Sequence, residues 1–353
     1  MKIACVNDSH FGARNDSSLF LDYFVSFYEN QFFTYLKEND VKQVIHLGDF
    51  FDRRKYVNFS TLKVVREKVL KPLEDMGVEV HLLLGNHDTY YKNTNKVNSP
   101  KELLSGYSNI KIYEKPEVVD FDGMCVGLVP WINDENREDS LSFLSSCKCP
   151  IVAGHFELNG YEVLRGVKFS GGMSDECVNR FEKVLSGHFH SKSHANNVYY
   201  LGTQYQITFS DLNDSKGFHV LDTETRELEF VENPDRMFYS FVYDDSDKET
   251  LKTLKEQLTE KLTNKYVKIV VENKTKSSLF ESFIDALYEL DVADLSVIED
   301  FSADLEDQEK VDLAQDTLTI INTELDLIET ELDKESLKRI MKNLYMESMT
   351  NEE

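Results

Sequence analysis

The sequence predicts an α/β fold, and three observations carry that expectation. Short apolar runs alternate with longer amphipathic stretches over roughly the first 230 residues. The runs are nearly continuous in apolar character, as strands buried on both faces must be. Five of them end in turns that carry Asp, Asn or His.

In chain order, residues 3–6, 44–47, 78–84, 125–129, 151–153 and 198–201 read as strands. Residues 19–38 and 59–76 read as helices, and Ser99 reads as the cap of another, with Pro100 in its first turn. Asn233-Pro234 marks a boundary. Beyond it, 237–243, 248–262, 266–271, 279–287 and 295–298 spell a small βαβαβ unit, followed by an acidic connector near 300–312. Leu318, Ile321, Leu325, Ile328 and Leu332 then recur at spacings of three and four. Asp333 can cap a second helix with Leu337, Ile340, Met341 and Leu344 on one face. The expected division is 1–232, 233–300 and 301–353.

Composition bounds the function. No apolar run among the 353 residues approaches the roughly 20 needed to span a membrane, so no membrane partner is expected. Residues 1–6 are soon interrupted by Asn7, Asp8 and His10, unlike a signal peptide. Five cysteines (Cys5, Cys125, Cys147, Cys149 and Cys177) are an odd number, which suits reduced thiols in a cytoplasmic protein. Cys147 and Cys149 have no second pair to complete a metal site and read as ordinary thiols. The net charge of −25 argues against binding a polyanion through a broadly basic surface. Residues 301–353 alone hold −10 of it, while residues 53–71 contain seven basic side chains and one acidic. A basic strip can sit in an acidic whole.

The five turns carry the chemistry. They are Asp8-Ser9-His10, Gly48-Asp49-Phe50-Phe51-Asp52, Gly85-Asn86-His87-Asp88, Gly154-His155 and Gly187-His188-Phe189-His190, and they hold five of the nine histidines. In open α/β sheets such loops converge at the carboxyl ends of the strands. One Gly-His alone is more often a turn histidine than a ligand; all five together point to metals. Two divalent ions roughly 3.5–4 Å apart need a bridging carboxylate and several terminal ligands. A mixture of His, carboxylate and Asn carbonyl suits two Mn²⁺ better than an all-oxygen Mg²⁺ site, although Mg²⁺ can take the same places. Such ions activate water and neutralise phosphoryl oxygens, and a histidine held by a carboxylate can protonate the leaving alkoxide.

These motifs resemble the calcineurin-like metallophosphoesterases, and their order and spacing resemble the SbcD-type nuclease subunits of double-strand-break repair complexes. Gly202-Thr203 and Lys216-Gly217-Phe218 resemble that branch too, and the stretch from Gly154 to Gly160 is similar to its T-even phage members. The resemblance spans residues 1–220. It implies a metallophosphoesterase β-sandwich flanked by helices, a small α+β capping domain that binds DNA, and C-terminal helices. It implies one ion on Asp8, His10, Asp49 and His190, and another on Asp49, Asn86, His155 and His188, with Asp49 bridging. His87 would be the general acid, oriented by Asp52. The implied activity is double-strand exonuclease and single-strand or hairpin endonuclease action, in the host cytoplasm if phage-encoded.

Arg53, Arg54 and Lys55 read as phosphate contacts beside the metals rather than a merely solvated helix start. Asp88 can cap the following helix or support His87, of which the structural role is preferred, and Trp131 reads as core packing. The chain lacks a Gly-x-x-x-x-Gly-Lys-Ser/Thr phosphate loop, so no bound nucleotide is expected. The resemblance implies a separate SMC-like, ABC-type ATPase whose coiled coil takes the C-terminal helices. It also implies a homodimer within a heterotetramer, paired through helices at 59–76 and 100–107. The rival readings are a calcineurin-like phosphatase or cyclic-nucleotide phosphodiesterase, and a non-catalytic scaffold of the same fold. The filled ligand positions weigh against the scaffold.

Overall fold

The computed structural model describes residues 1–164, 167–246 and 248–299, together with Lys334 and Lys338. Two compact units emerge: Met1–Ile207 with Asp214–Asp235, and Thr208–Asn213 with the chain from Arg236 onward. The second unit thus takes a short piece from before the expected boundary. The acidic connector and the C-terminal apolar stripes lie outside the described residues. No helix among the described residues is long and apolar enough to cross a membrane.

The first unit holds two six-stranded sheets. One runs Leu228–Glu232, Gly217–Asp222, Lys2–Val6, Gln43–His46, Glu79–Leu83 and Ile110–Tyr113; the other runs Ser193–Ala195, Val198–Tyr200, Lys183–Ser186, Ile151–Gly154, Met124–Val129 and Glu117–Phe121. The central strands of each are parallel; antiparallel pairs close both edges of the second sheet and one edge of the first, whose other edge strand, Ile110–Tyr113, pairs in parallel. Ile3, Cys5, Ile45 and Leu47 of the first sheet share one buried core with Leu128, Ala153, Leu185 and Leu201 of the second. That shared core makes the arrangement a sandwich. The outer face of the first sheet is covered by a helix running from Ser18 to Glu38 with a π turn at Tyr28–Phe32. Its rings pack inward: Phe32 meets Phe218 of the strand Gly217–Asp222 at 5.1 Å, and Phe24 stacks on Tyr205 of the loop after Val198–Tyr200 at 4.0 Å.

Every strand expected in this unit is present within a residue or two, and both helices are found. The residue capping the helix Ser99–Leu104 is Asn98, not Ser99: the Asn98 side chain accepts from the Lys101 amide at 2.9 Å, and Ser99 is already helical. The strand Lys183–Ser186 escaped notice because only Val184 and Leu185 are apolar in it. The helix Arg137–Ser146 did so because little of it is buried beyond Ser140 and Leu144.

The second unit follows the expected βαβαβ order. Strands Phe238–Asp244, Tyr266–Asn273 and Asp294–Glu299 pair in parallel, joined by helices Lys248–Gln257 and Ser277–Glu289. Tyr243, Val267, Ile269, Phe280, Phe283 and Leu287 form its own core.

Candidate metal centre

Each candidate ligand lies just past the carboxyl end of a parallel strand. Lys2–Val6 leads to Asp8 and His10, Gln43–His46 to Asp49, and Glu79–Leu83 to Asn86 and His87; Ile151–Gly154 leads to His155, and Lys183–Ser186 to His188 and His190. The backbone there is bent hard. Asp8, His10, Asp49 and His188 have φ of 47°, 43°, 53° and 83°, a left-handed region that costs non-glycine residues about 1–3 kcal/mol each. Neighbouring loops hold them: Asp8 N donates to Gly48 O at 2.9 Å and His10 N to Asp49 O at 3.1 Å.

The side chains converge. His10 Nε2 is 3.1 Å from His190 Nε2, and Asn86 Oδ1 is 2.9 Å from His155 Nε2 and 3.0 Å from His188 Nδ1. Asp49 Oδ2 lies between the two clusters, 3.8 Å from His10 Nε2 and 3.4 Å from His155 Nε2. Three overlapping sets (Asp8, His10 and His190; His10, Asp49 and His87; Asp49, His155 and His188) each bring their ligand atoms within 4.8 Å of one another. Asp8, Asp49, His10, Asn86 and His155 are all buried. Carboxylates, imidazole nitrogens and an amide oxygen facing each other away from water are a donor set that divalent cations satisfy. The residues fit a divalent-metal site.

Partners behind the ligands set their tautomers. His155 Nδ1 donates to Leu47 O at 2.7 Å, which leaves Nε2 free to ligate. His10 Nδ1 faces Asp52 Oδ1 at 3.2 Å. Lys216 Nζ, itself buried, donates to His190 O at 2.9 Å, and Thr203 N donates to the same oxygen at 2.9 Å. The downstream Gly-Thr and Lys-Gly pairs therefore hold the loop that carries His190.

The sequence pattern of the calcineurin-like phosphoesterases matches residues 1–192. The chain belongs to that family. Exonuclease subunit 1 of Enterobacteria phage T4 is 34% identical over 353 residues, covering 99% of both chains. A subunit of the SbcCD nuclease of Staphylococcus epidermidis is 23% identical, covering 65% of this chain and 67% of its own. The DNA double-strand break repair protein Mre11 of Sulfurisphaera tokodaii is 27% identical, covering 54% of this chain and 49% of its own.

As a calcineurin-like phosphoesterase the chain is a metal-dependent hydrolase, and its electrostatics suit that. Burial opposes charge on His10, but the Asp52, Asp49 and Asp8 carboxylates outweigh it and raise the ring to about 9. Burial opposes charge on His155 too, and Asp49 and Asp8 raise it to about 9. Asp49 would be raised by burial, yet His155, His87 and His10 hold it well below its ordinary value. Burial keeps His87 and His188 below theirs. The pocket attracts positive charge.

The remaining expected residues are placed as follows. His87 Nδ1 donates to the main-chain carbonyl of Asp52, while the Asp52 carboxylate faces His10. Asp52 thus meets the two histidines through different atoms. Asp88 caps no helix; its buried carboxylate accepts from Phe50 N, Phe51 N and Gly85 N and ties the second motif to the third. Arg53 pairs with Asp16 at 3.3 Å and also meets Asn15, Arg54 reaches Thr89 Oγ1 at 3.3 Å, and Lys55 is exposed. The Trp131 ring sits 5.5 Å from His188 and 6.0 Å from His155, against the ligands. Sequence reasoning missed Ser9 as a hub: its Oγ meets Tyr28 Oη at 2.8 Å, His46 Nε2 at 2.8 Å and Gln204 Nε2 at 3.0 Å. Its place between Asp8 and His10 was the available signal.

Two outcomes follow from this packing. A Cβ on Gly85 would stand 2.1 Å from Asp49 Oδ1 and 2.2 Å from Asp49 N, all rigid groups. Gly85→Ala should lose cation binding in calorimetry and lower stability by about 1–3 kcal/mol. Unchanged affinity would contradict the close approach. Second, His10 and His155 carry protons near pH 7 without cations, so binding must expel them. Affinity should climb as pH rises from 6 to 9, and heats in buffers of different ionisation enthalpy should show release of about two protons at pH 7. No release would mean that these rings do not ligate.

Proposed function

We propose that this phosphoesterase is the nuclease subunit of a DNA recombination and repair complex, cutting phosphodiesters as an exonuclease on duplex ends and an endonuclease on single strands or hairpins. The observation that carries the reading is the full-length match to a phage exonuclease subunit together with a complete donor set at the strand ends. Asp8, His10, Asp49 and His190 would hold one Mn²⁺, and Asp49, Asn86, His155 and His188 the other. When bound, such a pair supplies Lewis acidity at the phosphoryl group and lowers the pKa of water there.

The chain's own groups do the rest. Asp49 Oδ1 accepts the His87 amide at 2.7 Å, so the bridging carboxylate also fixes the turn that carries His87. With its Nδ1 proton committed to the Asp52 carbonyl and its ring held neutral by burial, His87 has Nε2 open to take up the proton released by the attacking water and pass it to the departing alkoxide. Arg54 and Lys55 would lie along the DNA backbone. Two of the relatives are named as subunits, which supports a partner. We assign it as an SMC-like ATPase that takes the apolar stripes which the sequence carries beyond residue 316. Phe59, 85% exposed at the start of the helix Phe59–Val65, supports pairing of two copies through the helices of 59–76 and 100–107.

Cleavage of end-labelled linear duplex and hairpin DNA with Mn²⁺ tests the substrate. Turnover of bis-p-nitrophenyl phosphate, itself a diester, with no cutting of DNA would favour the rival reading, a calcineurin-like phosphatase or cyclic-nucleotide phosphodiesterase. His87→Ser should keep both cations while losing about 10²–10⁴-fold in rate, whereas His188→Ala should lose a cation. Equal metal loss in both variants would make His87 a ligand instead, which its place within 4.8 Å of His10 and Asp49 ligand atoms allows.

A further inference from the structure

Five of the ten large apolar or aromatic side chains exposed among the described residues fall on two loops, 53–59 and 89–98. They are Tyr56, Phe59, Tyr90, Tyr91 and Val97, with Tyr56, Tyr90 and Tyr91 exposed to 58%, 39% and 53%. Scattered exposed apolar side chains are ordinary; half of them within two loops totalling seventeen residues is not. The two loops leave the motifs that carry Asp52 and His87, whose Asp52 carbonyl and His87 Nδ1 are hydrogen-bonded. They touch again further out, where Arg54 reaches Thr89. The second loop is pinned at its base by Tyr90 N donating to Val97 O and Ser99 N to Asp88 O, both at 2.9 Å. Its tyrosines are therefore held out from a fixed stem, Tyr90 and Tyr91 edge to face at 4.7 Å. Arg53 lies over the Tyr56 ring at 4.9 Å.

The charge of these loops sets them apart from the rest of the chain. They contain Arg53, Arg54, Lys55, Lys92 and Lys96 and no acidic residue, in a protein of net charge −25. Some of that charge is engaged within the protein, Arg53 with Asp16 and Lys96 with Glu135. The total nonetheless favours a polyanion at this rim. Three tyrosines, Phe59 and basic side chains, with Val97 the one aliphatic among the five exposed residues, make a poor site for an aliphatic protein segment. They make a good one for a flat, polar-edged base next to a phosphate, where stacking tolerates any sequence.

We propose that Tyr56, Tyr90 and Tyr91 form a stacking platform for an unpaired nucleobase next to the phosphodiester being cut. The site thus takes DNA as a single strand or a frayed end. This rests on the nuclease reading above and adds to it the conformation of the substrate at the metals. A duplex would have to release at least one base pair to use the platform, the unpairing cost being offset by stacking.

The test uses the full chain with Mn²⁺, a short single-stranded oligodeoxynucleotide carrying 2-aminopurine, and the same strand with an abasic position. In Tyr90→Ala/Tyr91→Ala and in Tyr56→Ala, KM for the strand should rise by about 5- to 150-fold per stacked base lost. Quenching of 2-aminopurine on binding should fall. Turnover of bis-p-nitrophenyl phosphate, which has no base, should stay at the wild-type level. Tyr90→Phe/Tyr91→Phe should restore KM, and the abasic strand should respond little to any of these changes. Equal KM in wild type and alanine variants would overturn the platform while leaving the nuclease reading intact, and so would an equal loss on the abasic strand. A shift to monomer in gel filtration with KM unchanged would make the rings a contact between copies, also against the proposal. Failure of the wild type to cut any DNA would instead overturn the nuclease reading itself.

Discussion

The buried carboxylate of Asp49 is the constraint on which the rest of the site depends. A charge almost fully removed from water must be compensated, and here His10, His155 and His87 surround it. Each side of the carboxylate has a distinct duty. Oδ1 accepts the amide of His87 and so shapes the third motif, while Oδ2 looks into the space between two ligand clusters. For the carboxylate to sit there, the second and third motifs must approach within backbone contact. Only glycine permits that: a Cβ on Gly48 would lie 2.7 Å from Gly85 Cα and from His155 Nδ1. Asp88 then locks the approach by accepting amides from both motifs.

The same logic explains why so much of this centre was legible. Each ligand had to follow a strand closely and turn sharply, so Gly-Asp, Gly-Asn-His, Gly-His and Gly-His-Phe-His stood out as local strings. The small βαβαβ unit was legible for a simpler reason, since buried strands and amphipathic helices alternated with clear periods. What the sequence concealed was long-range. Lys216 supports His190 and Asn7 reaches Gly202 O across 195 positions, and nothing local in Asn or Lys announces such a partner. The split of Asp52, main chain to His87 and carboxylate to His10, was equally hidden, because a residue's name does not say which of its oxygens is used. Asn98 displaced Ser99 as a cap because both can cap, and the one residue earlier had the side-chain geometry.

An acidic protein that handles a polyanion must localise its attraction. Cations bound among the clustered Asp and His side chains would add positive charge there, and the two loops beside Asp52 and His87 hold five basic residues and no acidic one. The rest of the chain carries a large excess of acidic residues. The expected consequence is selectivity for DNA presented at the pocket rather than adsorption along the molecule. The left-handed backbone of Asp8, His10, Asp49 and His188 belongs to the same design, because strain stored in the loops is held by the ladder between them.

The central claim is that Asp49 bridges two cations, and anomalous scattering from crystals of the full chain soaked in Mn²⁺ tests it most directly. The account predicts two peaks about 3.5–4 Å apart on either side of the Asp49 carboxylate. One should lie against His10 and His190, the other against Asn86, His155 and His188. A single peak, or two peaks with Asp49 on only one of them, would contradict it.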